Sequence, residues 1–172
     1  MPTVFICLLV VYAGLGAFAW YCQQQGRSKD YPWRTELPVL GAALTAHGAA
    51  LLMPVIQDKI LIMGFGYSVS LIVWMMLFIY FVGSFFYSLR GLQLLLYPCA
   101  VMMLFLGLVF PGKFIGYKIA DLPFMLHIGA SLFAYGLFGI ATLLSVLTIL
   151  LHRSLHRRSF SKFTGFLPPL LS

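Results

Sequence analysis

Apolar residues run along this chain in five blocks, and charged residues fall in the gaps between them. A helix needs about 20 apolar residues to cross a hydrocarbon core of about 30 Å. The blocks 3–20, 37–56, 67–89, 92–110 and 123–151 come close to that length, and the last has residues to spare for tilt or for extension beyond the bilayer. Pro111-Gly112 closes the fourth block, and Asp121 ahead of Pro123 reads as a helix cap with a proline in the first turn. The pattern predicts an all-α polytopic membrane helix bundle with five transmembrane helices. Residues 1–172 then form a single transmembrane domain, with 152–172 as a cationic cytoplasmic tail or linker.

The gaps set the orientation. Arg27, Lys29 and Arg34 follow the first block, Arg90 follows the third, and Arg153, Arg157, Arg158 and Lys162 follow the fifth. These are eight of the 11 basic residues, and Lys59, Lys113 and Lys118 fall on the opposite side. The positive-inside rule puts the N-terminus outside and the C-terminus in the cytoplasm. Met1-Pro2-Thr3 lacks the basic start of a secretory signal, so the first block reads as a retained helix although Ala17-Phe18-Ala19 mimics a cleavage site.

Composition agrees with a membrane chain: 62% of residues are hydrophobic and 9% charged, against about 25% charged in soluble domains. The net charge of +7 is accounted for by the cationic loops, and no separate basic and aromatic patch points to nucleic acid. Cys7, Cys22 and Cys99 are scattered, and without a CxxCH sequence there is no covalent haem attachment site. Trp20, Tyr21, Tyr31 and Trp33 fit an aromatic belt around the first cytoplasmic gap. Carboxylates are absent from the interiors of the blocks; Glu36 and the other three acids fall in gaps or at helix ends. That argues against a pump driven through an intramembrane acid. No carboxylate pair, phosphate loop or nucleophile elbow is present, so no enzyme activity is expected.

Two histidines lie inside the apolar blocks, where an ionisable group needs a reason. His47 sits near mid-depth among small residues, Ala42 to Ala50. His127 opens the fifth block near the outer surface, and with Ser131 and Tyr135 it forms an i, i+4, i+8 stripe on one helix face. Small residues crowd both helices. Each histidine has two readings: an axial ligand of haem iron in a slot shaped by small residues, or a hydrogen bond in a packed helix interface. At about 1.5 Å of rise per residue the two imidazoles differ in depth by roughly 10 Å, a poor arrangement for two axial ligands of one haem. His152 and His156 lie among tail arginines that suit anionic lipid.

The stretch DLPFMLHIGASLFAYGLFGIATLLSVLTILLH, residues 121–152, resembles the CcsA/HemX branch of the cytochrome c assembly protein family, and within it the YpjD-like bacterial inner-membrane proteins. The resemblance is carried by His127, Ile128, Ser131 and Tyr135, by GYSVSLIVW at 66–74, by LYPCAVMMLFLGLVFPG at 96–112 and by the place of His47. It implies non-covalent haem bound by His127 and His47, with Ser131 and Tyr135 beside it, and haem binding or transfer in cytochrome c assembly. Membrane lipid, other assembly proteins and apocytochrome are the partners it implies. It also implies a longer arrangement of which this chain is the N-terminal two-thirds, reached through Leu167-Pro168-Pro169-Leu170. The alternative is a non-haem regulatory or structural membrane protein that affects haem synthesis or metal tolerance through a partner, with the histidines as interhelical ties. The separate positions of Trp20, Trp33 and Trp74, in place of the tryptophan-rich outer segment of haem-handling relatives, favour that alternative.

Overall fold

A computed structural model of the chain describes residues 2–25, 32–87, 89, 91–113, 115–118 and 122–156. Five helices follow the five blocks: α1 (Pro2–Gln24), α2 (Trp33–Asp58), α3 (Phe65–Phe86), α4 (Gln93–Val109) and α5 (Leu122–His156). Two short strands, β1 (Ile60–Met63) and β2 (Ile115–Lys118), interrupt the links from α2 to α3 and from α4 to α5. The all-α polytopic bundle is therefore the fold. Four of the helices are long and apolar enough to cross a membrane, and α4 is a shorter apolar helix of 17 residues. The cap expected at Asp121 and the tail beyond His156, including Pro168-Pro169, lie outside the described residues.

Most boundaries fall within a few residues of the hydropathy pattern, and the exceptions have local causes. The first helix continues past residue 20 to Gln24, and the second begins at Trp33. Polar residues next to an apolar block do not stop a helix whose backbone groups bond within it. At the other end of α2, Lys59 takes a left-handed conformation and its N–H donates to the Pro54 carbonyl, closing the helix. Gly112, at φ 74°, turns the chain directly after α4, where a Cβ would lie 2.9 Å from the Phe65 nitrogen.

The strands were not expected. They pair antiparallel, Ile60 opposite Lys118 and Met63 opposite Ile115. Four-residue strands carry too little periodicity to stand out from the apolar blocks beside them. Their pairing puts the α2–α3 and α4–α5 links at the same end of the bundle, as an alternating path through a membrane requires.

Helix α3 is the hub, packed by α2, α4 and α5, while α1 lies mainly against α4 and also meets α2. The core gathers at these crossings around Tyr12, Leu40, Leu77, Leu96 and Tyr97. Near the strand end, α3 and α4 approach backbone to backbone: a Cβ on Gly66 would collide with the Gly107 carbonyl oxygen, and the Gly66 N–H donates to the Pro111 carbonyl at 3.1 Å. Small residues are the usual means of close helix approach in a bilayer. A Cβ on Gly107 meets the Gly66 oxygen less closely, at 3.2 Å, and one on Gly14 meets nothing within 4 Å. Thermal unfolding in detergent should therefore rank three variants. Gly66→Ala costs about 1–3 kcal/mol, the range for overpacking. Gly107→Ala costs less, and Gly14→Ala is neutral or stabilising through helix propensity.

Candidate functional site

Helix α2 carries two buried polar residues that reach across to its neighbours. His47 is fully buried, 0% exposed. Its Nδ1 lies 3.2 Å from the Tyr12 hydroxyl on α1, and its Nε2 lies 2.8 Å from the Ser70 hydroxyl on α3. A neutral imidazole has one donor and one acceptor nitrogen, and each hydroxyl can take either role, so both ring nitrogens are satisfied in either tautomer. The Phe5 ring packs edge-on against the imidazole at 5.9 Å. The small neighbours of His47 also have a use here: a Cβ on Gly48 would touch the Trp74 indole at 3.0 Å, and Trp74 Nε1 donates to the Leu44 carbonyl at 2.9 Å. The space beside His47 is thus filled by α3 and its tryptophan.

Glu36 is the second buried polar residue, and hydropathy reasoning missed it by treating it as a helix-end acid in a gap. It lies in the first turn of α2, 3% exposed and within the membrane-crossing stretch Trp33–Gln57. Its Oε1 accepts from the Tyr80 hydroxyl of α3 at 3.2 Å and from the Tyr97 hydroxyl of α4. The two phenol rings meet edge to face at 6.2 Å. A carboxylate in a first helical turn is also favoured by the helix dipole. The sequence signal was there: one acid at the edge of an apolar block, with tyrosines at matching depth in the next two blocks.

The expected stripe on α5 lies on a continuous helix and is less enclosed than His47. His127 and Tyr135 are exposed, Tyr135 by 59%, and face away from α3 and α4. Among the described residues, nothing hydrogen-bonds the His127 ring. Ser131 donates its hydroxyl to the His127 carbonyl at 2.8 Å, as Thr142, Ser145 and Thr148 do to carbonyls one turn back. Its proton is therefore held within the helix. The small residues of α5 divide between two faces. Cβ atoms on Gly136 and Gly139 would collide with Met75, Ile79 and Met76, so these glycines seat α5 against α3, whereas Gly129 beside His127 has open space. The structure does not bring the two histidines together. His47 is enclosed by α1 and α3, and His127 stands on the outer face of α5.

A family model described as Cytochrome C assembly protein matches residues 37–172, well over half of the chain. The chain belongs to the cytochrome c assembly protein family. This family member is a multi-pass membrane protein with a role in cytochrome c maturation. The match begins inside α2 and so includes His47, the α3–α4 crossing and the α5 stripe, while α1 and its Tyr12 precede it. No curated protein and no solved structure matches the chain.

The polar ties predict a graded loss of stability. Ser70→Ala removes one hydrogen bond and costs about 0.6–1.7 kcal/mol, between the average and the largest value for a hydrogen bond between membrane helices. His47→Ala strands two buried hydroxyls and opens a void, so it costs about 3 kcal/mol or more. Unfolding in mixed micelles with rising sodium dodecyl sulfate checks the order; equal, negligible losses would refute the tie.

Proposed function

We propose that this family member handles haem at the membrane during cytochrome c maturation, and that His127 is the residue that would hold its iron. The observation that supports it is the contrast between the two histidines. His47 is committed at both nitrogens to Tyr12 and Ser70, whereas the His127 imidazole is exposed and unpartnered among the described residues. A lone pair held ready on a helix face is what iron ligation needs. Haem also suits the donor set. No group of three or more His, Cys, Asp or Glu side chains converges among the described residues, but a porphyrin brings four nitrogens of its own and asks the protein for only one or two.

In this reading the chain's residues bind and orient; they make and break no bonds, and the protein is not an enzyme. Gly129, with no neighbour over its α carbon, leaves room for a flat ring beside His127, and the exposed Tyr135 lies two turns further along. His47 reaches iron only by giving up Tyr12 or Ser70, so it is the weaker candidate for the second ligand. The haem iron would supply the redox and ligand-exchange chemistry on which cytochrome c maturation acts. The exposed face of α5 that carries His127 would be open to a partner in the maturation machinery, another assembly protein or apocytochrome. The YpjD-like branch and the bacterial inner membrane are the corresponding placement. The non-haem alternative draws support from the same hydrogen bonds of His47 to Tyr12 on α1 and Ser70 on α3.

Absorption spectra of protein purified from haem-replete cells test the reading. The wild type should carry a Soret band, and His127→Ala should lose most of it while unfolding at an unchanged temperature. A folded wild type without the band supports the regulatory alternative and overturns this one.

A further inference from the structure

At the end of the bundle opposite the strands, the start of α2, the end of α3 and the start of α4 enclose a cleft of about 420 Å³. That volume lies within the range of small-molecule sites. Trp33, Phe85, Phe86 and Tyr87 line it and are exposed, Phe86 by 76%. Gln93, the first residue of α4, also lines it and is 2% exposed. Half of this amide is used: its Oε1 accepts from the Gly91 N–H at 3.0 Å. Its Nε2 donates to nothing among the described residues. A buried amide N–H without an acceptor is costly and uncommon, and the open space beside this one is the cleft. Glu36 and Tyr80 line the cleft too, but their bond to each other, with the one from Tyr97, occupies them. The group left to recognise a ligand is therefore a neutral donor among aromatic rings.

We propose that this cleft binds the ring of a lipid-soluble quinone, with a ring carbonyl accepting from Gln93 Nε2 and the ring face against the exposed aromatic side chains. Three observations favour this class of ligand. The unused N–H group needs an oxygen acceptor, and a quinone carbonyl supplies one without a charge that apolar walls would penalise. The walls are aromatic, and they stack on a flat ring better than on the flexible esters of a phospholipid. The cleft lies at an end of α2 and α3, both long and apolar enough to cross a membrane. Aromatic side chains there sit at headgroup level, so a ring with an apolar tail reaches them from within the bilayer. The proposal concerns binding alone and uses no charge on Glu36. The site is separate from the histidines, and its test is independent of haem.

The experiment is isothermal titration calorimetry of the full chain in detergent micelles with a decyl-substituted benzoquinone. Decylbenzene, which keeps a ring and the tail but has no oxygen, is the control. The wild type should bind the quinone saturably and about tenfold more tightly than decylbenzene, a factor in the range for one buried hydrogen bond. Isotope-edited infrared spectra should show the carbonyl stretch of the bound quinone at lower wavenumber than in empty micelles. Gln93→Leu should bring the two probes to about the same affinity, but it also takes the acceptor from the Gly91 N–H and can unfold the chain. The second variant is therefore the exposed pair Trp33→Leu with Phe86→Leu. It should weaken quinone binding about fivefold or more, the worth of an aromatic contact, without moving the unfolding temperature. Equal affinity of the wild type for the two probes, or an unshifted carbonyl stretch, makes the cleft a merely apolar surface and overturns the proposal. A Trp33 and Phe86 variant that binds as the wild type does overturns it equally.

Discussion

The packing of α1, α3 and α4 around α2 depends on buried polar side chains that α2 satisfies on both sides of itself. In hydrocarbon there is no hydrophobic force between helices, so packing and interhelical hydrogen bonds set which faces meet. His47 joins α2 to α1 through Tyr12 and to α3 through Ser70. Glu36, three turns earlier, joins α2 to α3 through Tyr80 and to α4 through Tyr97. Two more side chains of α3, Tyr67 and Trp74, donate to α2 carbonyls at Leu51 and Leu44. Together these bonds fix the rotation of α2, and with it the positions of the core residues at the centre of the bundle.

This arrangement decides what each histidine can do. An imidazole with both nitrogens engaged, a phenylalanine ring at its edge and a tryptophan filling the adjacent space is a structural element. An imidazole on the outer face of α5, one turn before a serine that bonds to its own helix, is an accessible one. Helix α5 is seated on α3 through Gly136 and Gly139, which leaves its His127 face turned outward. The same residue type therefore stands in two environments in one chain, and burial separates them.

Hydropathy carries most of the fold on its own. Five apolar blocks mark the five helices because a bilayer demands one long apolar run for each crossing, and Pro111-Gly112 marks the end of α4 because glycine alone turns there without strain. The strands at Ile60 and Ile115 were hidden because four residues are too few to show an alternating pattern: β1 is uniformly apolar, and β2 mixes Ile115 and Tyr117 with Gly116 and Lys118. The site was only partly legible. The spacing of His127, Ser131 and Tyr135 identifies a common helix face, but not whether that face meets a helix or the outside. His47 among alanines and glycines suits a cofactor slot and a close helix crossing equally well in sequence; the structure puts Trp74 over Gly48 and Tyr12 and Ser70 on the imidazole nitrogens. Glu36 escaped because a block boundary drawn from hydropathy excludes any charged residue by construction.

The central claim is the division of labour between the two histidines, and chemical rescue tests it most directly. Wild-type protein, His127→Gly and His47→Gly would be titrated with haem in detergent, with and without added imidazole, and followed at the Soret band. The account predicts that His127→Gly loses haem binding and regains it with imidazole, since free imidazole can take the place of an exposed side chain. It predicts that imidazole does not restore the stability lost in His47→Gly. Rescue of haem binding in His47→Gly, with His127→Gly indistinguishable from wild type, would contradict it.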